Sequence, residues 1–511
     1  MQTVSIDGEH LTIEEIVAVA RHGASVTLTP AARETIHNSH TWVEEIIERG
    51  EPVYGINTGF GIFAEKRIPN KELANLSRNL ILSHAVATGA PFEDEVVRAA
   101  ILVRANTLAK GHSGVRVEVV ETLLALLNHK VTPIVPSQGS LGSSGDLAQL
   151  SYMALVFTTD EEDDGSQSGT ARYNGEVLEG KEAMARAGIK QIKLGAKEGL
   201  ALSNGATFSA AIGALAVYDA ENLLRTGELS LAMSLEALMG CMDAFDERLQ
   251  KARGFRGQAR VAEAVRTLVE NSTLINRCGL VQDAYSLRCA PQVQGICRDT
   301  LDFVRNVIDI EINAATDNPL LFEPGIALSG GNFHGEPVGL AMDYLGIAMA
   351  ELASISERRT YRLTDGHLNG GLPSMLVDHP EDAGLNSGMM MPHYTAASLV
   401  LENRTLAAPA SVHSLPASGQ KEDHNANATT AARHLREIVK NTAHVLAIEL
   451  YTAARAVDLR LRQFPQANLG EGTNQVFQTI RDVIPYQPGD AWWGPEIDRV
   501  RELILSKTLE K

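Results

Sequence analysis

The chain has 511 residues, which is longer than one hydrophobic core usually serves, so its length predicts two or three lobes. Hydrophobic residues make up 44% and charged residues 21% of the chain, as in ordinary soluble globular proteins. The formal net charge of −18 argues against nucleic acid or an anionic membrane surface as a partner. There is no uninterrupted apolar run of about 18 residues, and the first ten residues are polar and acidic overall with no apolar core, so we expect neither a membrane span nor a signal peptide.

The first 130 residues predict several helices and one glycine-rich loop. Residues 11–50 predict two short helices, because Thr29 can cap and Pro30 can occupy the first turn of the second. A loop follows from Val53 to Gly61; its glycines resemble a dinucleotide fingerprint, but no strand–helix unit surrounds them, so we expect no NAD site. Residues 70–90 and 92–130 have helical patterns.

The middle and end of the chain indicate a mainly α fold. An acidic, solvated loop is predicted from Thr158 to Gly169, and a small hairpin turning at Asn174-Gly175 follows it. From Gly199 onward nearly all of the chain reads as helix. Residues 210–217 are apolar all round, as in an interior helix, and residues 435–450 carry a single apolar stripe. Long helices bundled side by side are therefore expected.

The cysteines and histidines predict no metal site. Cys241, Cys278, Cys289 and Cys297 have no C-x-x-C spacing, and no H-E-x-x-H motif occurs. Free thiols in a reducing cytosol are the simplest interpretation, so we expect a cytoplasmic protein. No lysine has a context that marks a Schiff base, and pyridoxal phosphate is not expected either.

The nonapeptide Gly139–Leu147, Gly-Ser-Leu-Gly-Ser-Ser-Gly-Asp-Leu, permits unusual backbone chemistry. In a tight turn the amide nitrogen of Gly145 can attack the carbonyl carbon of Ser143, because glycine has no Cβ to obstruct it. Ring closure releases one water, and loss of the Ser144 hydroxyl releases a second and leaves a methylene electrophile. Alone, such a stretch is more often a flexible loop. A phosphate-binding loop is excluded because Asp146 follows where a lysine is required.

This motif resembles the active-site motif of the aromatic amino acid ammonia-lyases and related aminomutases, where the tripeptide is usually Ala-Ser-Gly. The resemblance implies 4-methylidene-imidazole-5-one (MIO) formed from Ser143, Ser144 and Gly145, with Ser143 in place of the usual Ala. It also implies a long-helix bundle of the ammonia-lyase/fumarase-like type. A smaller α-rich domain, residues 1–200, would carry the catalytic tyrosine and MIO loops, and residues 201–511 would form the bundle and the C-terminal helices. A homotetramer with shared active sites is implied as well.

Further segments in the family's order imply roles for single residues. Tyr54, in the glycine-rich loop, matches the proposed catalytic base. Asn204 matches the asparagine that holds the ring oxygen and the substrate carboxylate. The segment beginning at Gln282 matches a substrate-binding segment, although Ala284 replaces the family's proline. Within it, Arg288 would clamp the carboxylate with its planar fork and Tyr285 would assist proton handling. A later segment implies that Phe333 lines the site.

Two positions favour L-histidine as the substrate and urocanate as the product. Ser83-His84 resembles the pair found in the histidine enzymes of the family, and His84 can supply one hydrogen-bonding partner for an imidazole. Glu422 matches a carboxylate that would grip the imidazole N–H and would be a poor neighbour for a phenyl ring. Lys421 and residues 425–427 depart from the usual pattern.

Several alternatives therefore remain open. They are a phenylalanine or tyrosine ammonia-lyase, a 2,3-aminomutase, a lyase for a modified histidine, and a non-enzymatic scaffold if the Ser143 variant does not cyclise.

Overall fold

The structure, a computed structural model, describes residues 3–160 and 164–510. Part of the predicted acidic loop, residues 161–163, lies outside the described residues. Within them the chain forms eighteen α-helices and eleven strands of two to four residues, which confirms the mainly α class. The helices are α1 Ile13–Ala20, α2 Pro30–Arg49, α3 Leu73–His84, α4 Asp94–Ala109, α5 Val117–Asn128, α6 Leu147–Phe157, α7 Gly180–Arg186, α8 Glu198–Ser203, α9 Thr207–Ala237, α10 Glu247–Arg253, α11 Arg256–Leu268, α12 Tyr285–Arg288, α13 Ala290–Glu311, α14 Glu336–Thr364, α15 Met390–Leu406, α16 Ala428–Gln463, α17 Glu471–Val483 and α18 Trp493–Leu505.

The strands form small separate sheets. They are β1 Thr3–Ile6, β2 Ser25–Leu28, β3 Thr88–Pro91, β4 Thr132–Pro133, β5 Pro136–Gln138, β6 Thr158–Thr159, β7 Thr170–Tyr173, β8 Glu176–Glu179, β9 Ile192–Lys193, β10 Leu320–Glu323 and β11 Ile326–Leu328. The pairs β1–β2 and β6–β9 are parallel, whereas β3–β5, β4–β7, β7–β8 and β10–β11 are antiparallel. The hairpin predicted at Asn174-Gly175 joins β7 to β8. Both turn residues have positive φ, 49° and 82°, as a two-residue turn requires.

The N-terminal helices confirm the predicted cap and correct one detail. The Thr29 hydroxyl accepts a hydrogen bond from the Ala32 amide, and Pro30 occupies the first turn of α2. The stretch between the two helices is not only a break, however, because β2 forms there and pairs in parallel with β1. Four residues are too few for alternation of apolar and polar side chains to identify a strand.

The chain divides into two compact units that interleave along the sequence. The first comprises Met1–Tyr218, Arg305–Asp343 and Pro409–Arg433, and the second comprises Asp219–Val304, Tyr344–Ala408 and His434–Lys511. The family resemblance implies one division at residue 200, and that division stays a prediction. All eleven strands fall in the first unit.

The second unit contains a buried polar cluster centred on Glu449. This fully buried carboxylate pairs with the guanidinium of Arg359 at 2.5 and 2.8 Å, and it accepts bonds from Ser230, Ser234 and Ser356 at 2.6 to 2.9 Å. Each carboxylate oxygen has donors, so the cost of burying its charge is offset. The apolar stripe predicted on residues 435–450 is buried on α16, as expected.

Within residues 3–160 and 164–510, one helix, α14, is long and apolar enough by composition to cross a membrane. In the structure, 67% of its most apolar window is buried inside the protein. Core helices have the same length and composition, so α14 is weak grounds for a membrane span.

Candidate active site

The first unit contains a cavity of about 1180 Å³ that brings together most of the predicted site residues. The sequence-predicted residues that line it are Tyr54, Ser83, His84, Ser143, Ser144, Asn204, Phe333 and Glu422. They come from six separate stretches of the chain. This convergence makes the cavity the candidate active site.

The tripeptide is held in a tight turn at one point of the cavity wall. Gly145 has a φ of +77°, and a Cβ at this position would lie 2.0 Å from the carbonyl carbon of Gly205. Only glycine fits there. The Asp146 amide donates to the Gly205 carbonyl at 2.9 Å, so the turn and the start of α6 are fixed against the segment that follows α8.

Two donors converge on the carbonyl oxygen of Ser144. The side-chain amide of Asn204 donates from 2.8 Å and the backbone amide of Gly205 from 3.1 Å. Such a pair of fixed donors can stabilise negative charge on the oxygen it holds. Asn204 was predictable from the sequence, whereas the Gly205 amide was not, because a backbone donor leaves no side-chain signal.

Arg104 positions the segment that carries Asn204. Its guanidinium is fully buried on α4 and donates to the carbonyls of Ala201 and Asn204 at 3.1 and 2.8 Å, and also to the Thr207 hydroxyl. Burial lowers the pKa of Arg104 to about 10, which leaves it charged at neutral pH. Nothing in the sequence distinguishes this arginine from a surface one.

Asp146 fastens the other side of the tripeptide turn. Its fully buried carboxylate accepts bonds from the amide and hydroxyl of Ser209 at 2.9 and 3.1 Å, from the Ser140 hydroxyl at 3.0 Å and from Thr429. In the sequence, Asp146 serves only to exclude a phosphate-binding loop. Its structural role is to connect the turn to α9 and to the start of α16.

Glu422 reaches the tripeptide from the loop that precedes α16. Its carboxylate accepts a hydrogen bond from the Ser143 hydroxyl at 2.6 Å and from the Ser144 hydroxyl at 3.3 Å. Two residues that depart from the family pattern help to hold this loop. The Asn427 amide donates to the Leu141 carbonyl at 2.8 Å, and the Asn425 amide donates to the Ser414 hydroxyl at 2.8 Å. Both bonds are donated by backbone amides, so they do not depend on the side chains at these two positions.

Tyr54 and His84 both have shifted pKa values. Burial raises the pKa of the Tyr54 phenol, and the negative charge of Glu422 adds to this effect. Burial lowers the pKa of His84, against the opposing effect of Glu422, so its imidazole is neutral at pH 7. The His84 Nδ1 lies 3.0 Å from the Ser83 hydroxyl, and this contact orients the ring.

A pair of histidines lines the cavity and was missed. The rings of His334 and His424 are stacked 5.8 Å apart with an interplanar angle of 6°, and the His334 Nε2 lies 3.1 Å from the His424 carbonyl oxygen. His334 is the last residue of the family-like segment that contains Phe333, and His424 is the last residue of the one that contains Glu422. Their place in these two segments was the signal that could have identified them.

Gln282, Tyr285 and Arg288 belong to the second unit, and none of them lines the cavity. Tyr285 is 70% exposed, and the Arg288 guanidinium carbon lies 4.5 Å from the centre of its ring. The Arg288 Nε is buried without a hydrogen-bond partner in the described part of the chain. This arginine therefore has donor capacity that its own surroundings do not use.

Two of the four unbridged cysteines lie side by side in the second unit. The Sγ atoms of Cys241 and Cys278 are 3.2 Å apart, and the Cys241 amide donates to Asp283 at 2.6 Å. Burial, followed by the contact with Cys278, raises the pKa of Cys241 to about 12, which keeps this sulfur a thiol. The 37-residue separation hides the pair from spacing rules.

Comparison with known proteins identifies relatives along the whole chain. A family described as "Aromatic amino acid lyase" matches residues 11–482. The chain is 50% identical to a histidine ammonia-lyase of Caldanaerobacter subterraneus subsp. tengcongensis, over 100% of this chain and 98% of the relative. The crystal structure of histidine ammonia-lyase from Trypanosoma cruzi superimposes with a TM-score of 0.90 at 37% identity, covering 99% of this chain and 94% of that one. A tyrosine aminomutase from Streptomyces globisporus has a TM-score of 0.92 at 34% identity, covering 99% and 98%.

Proposed function

The chain belongs to the aromatic amino acid lyase family, and from that premise we propose that it eliminates ammonia from L-histidine to give trans-urocanate. The observation that carries this proposal is the contact of the Glu422 carboxylate with the hydroxyls of Ser143 and Ser144 inside the cavity. An imidazole N–H offers this carboxylate a hydrogen bond, whereas a phenyl ring would desolvate it without one. Relatives named histidine ammonia-lyase support the same substrate.

The proposal includes MIO formed from Ser143, Ser144 and Gly145. The residues present fit this group: the position of Gly145 has no room for a Cβ, and the Ser144 oxygen already has two donors. When formed, MIO supplies an electrophilic methylene that makes the substrate amine a leaving group. The proposal includes no metal, nicotinamide or pyridoxal phosphate.

The side chains around the tripeptide have separate proposed roles. Asn204 and the Gly205 amide hold the Ser144 oxygen, and Glu422 and His84 bind the two imidazole nitrogens. Phe333 covers the reacting atoms and excludes water. Tyr54 accepts the β-proton at its phenol oxygen. Because burial raises its pKa, this role requires a nearby positive charge to stabilise the phenolate.

Arg288 and Tyr285 are proposed to act in the cavity of another copy of the chain. Neither residue lines the cavity of its own chain, and Tyr285 and the neighbouring Val281 are 70% and 102% exposed. A cytoplasmic homotetramer with shared sites would use the guanidinium of Arg288 to bind the substrate carboxylate, with Gln282 beside it. Its positive charge would also favour the Tyr54 phenolate. Mixing a Ser144→Ala chain with an Arg288→Ala chain should restore activity that neither has alone.

A substrate panel tests the proposed reaction. L-histidine, L-phenylalanine and L-tyrosine are supplied separately, and the conjugated acrylate product is followed by absorbance while ammonia is measured. The proposal expects urocanate and ammonia in equal amounts from L-histidine. If L-phenylalanine or L-tyrosine is consumed and L-histidine is not, the substrate assignment is wrong. A β-amino acid product would identify an aminomutase instead.

A further inference from the structure

This chain has a serine, Ser143, at the tripeptide position where its family usually has alanine. We infer that Ser143 is a positioning residue for substrate recognition: its hydroxyl fixes one oxygen of Glu422 so that the other oxygen faces the imidazole of the substrate. This inference rests on the proposed function and adds to it the reason for the extra hydroxyl.

The two serines donate to different oxygens of the same carboxylate. The Ser143 Oγ lies 2.6 Å from Oε2 of Glu422, which is the length of a charge-assisted bond. The Ser144 Oγ lies 3.3 Å from Oε1, which is long for an O–H···O bond and therefore weak. Ser143 is only 7% exposed, so water cannot easily replace Glu422 as the partner of its hydroxyl.

Ring formation would remove one of these donors and leave the other. The Gly145 nitrogen loses its amide hydrogen and forms a bond to the Ser143 carbonyl carbon. The carbonyl oxygen leaves as water with that hydrogen and the amide hydrogen of Ser144, and a carbon–nitrogen double bond to the Ser144 nitrogen remains. The Ser144 hydroxyl then leaves with its own Cα hydrogen as a second water, and a carbon–carbon double bond remains. The side chain of Ser143 takes no part in either loss. After both steps, Oε2 of Glu422 keeps its donor and Oε1 has lost its only side-chain donor among the described residues.

The freed oxygen is the acceptor that an imidazole N–H requires. Glu422 is only partly buried, and its backbone is tied to the loop by two bonds to Ala417 at 2.8 and 3.3 Å. Its side chain would otherwise sample several rotamers and bind histidine only from some of them. With Ser143 on Oε2, the carboxylate is arranged before the substrate arrives. An alanine at this position has no hydroxyl to hold Oε2, so the carboxylate would have to be held in place by other groups.

Binding of two substrate analogues tests this inference. Imidazolepropionate and 3-phenylpropionate share a carboxylate and chain length but differ in the ring, so the second is a control within the same cavity. We expect Ser143→Ala to weaken the binding of imidazolepropionate at least about fivefold, as measured by calorimetry, and to leave the binding of 3-phenylpropionate unchanged. The substitution should change KM for L-histidine more than it changes kcat. Ser143→Thr keeps the hydroxyl and should restore binding of imidazolepropionate.

The possible outcomes separate the inference from the proposed function. Unchanged imidazolepropionate binding in Ser143→Ala would overturn the inference, and so would equal weakening of both analogues, which would indicate a general change of the loop. If intact mass shows that Ser143→Ala has not formed its ring, the same two analogues are compared between Ser144→Ala and Ser143→Ala/Ser144→Ala, which both lack the Ser144 hydroxyl and differ only in the hydroxyl of Ser143. If the wild-type protein makes no urocanate, the proposed function fails, whatever the variant does.

Discussion

Replacing Asn204 with alanine should remove one of the two donors to the Ser144 oxygen. The donor that is lost lies 2.8 Å from this oxygen, whereas the Gly205 amide at 3.1 Å remains because it belongs to the backbone. Loss of one preorganised donor to a developing negative charge typically lowers kcat by about 10²–10³-fold, or ~2.7–4 kcal/mol. Arg104 bonds to the backbone carbonyl of residue 204, so the local fold should survive the substitution.

The assay is the steady-state rate of urocanate formation from L-histidine, with intact mass measured on the same sample. The mass shows whether the variant has lost both waters, which separates a defect in turnover from a defect in ring formation. A change in kcat of less than about threefold in a variant of fully processed mass would refute the role given to this donor.

Three other substitutions have expected outcomes. Arg288→Lys should lower kcat/KM for L-histidine at least about tenfold, since a lysine cannot form the two parallel bonds of a guanidinium fork; an unchanged value would place the carboxylate elsewhere. Glu422→Ala should cost far more urocanate-forming activity than Glu34→Ala, a change at an exposed glutamate of α2; equal losses would contradict the role of Glu422. Burial and the charge of Asp146 raise the pKa of Glu311 to about 7 from 4.5, so the folded state holds a proton that the unfolded state releases. The free energy of unfolding should therefore fall as pH rises from 4.5 to about 7. Denaturant titrations at pH 5 and pH 8 should show a smaller fall in this free energy for Glu311→Gln than for the wild type. An equal fall in the two proteins would contradict this expectation.

Much of the fold followed from local patterns in the sequence. The buried stripe of α16 and the turn at Asn174-Gly175 depend on residues close in sequence, and both were predicted. The strand β2 and the interleaving of the two units depend on pairing between distant segments. Periodicity does not contain this information.

The candidate site was predictable where a side chain belongs to a recognisable segment. Asn204 and Glu422 were identified in this way, and both line the cavity. The groups that fix the Asn204 segment and the tripeptide turn were not. Arg104 acts through backbone carbonyls and Asp146 through a buried set of hydroxyls and one amide, so neither belongs to a motif that reads as catalytic. The tertiary contacts that fix a site are visible only once the chain is folded.

The mass of the intact chain tests the central claim most directly. If Ser143, Ser144 and Gly145 form the proposed electrophile, the purified protein is lighter than its sequence by two waters and absorbs in the near ultraviolet. Ser144→Ala can lose at most the water of ring closure, and it should show almost no activity. A wild-type chain of full sequence mass that still releases ammonia from L-histidine, or a fully active Ser144→Ala variant, would contradict the account.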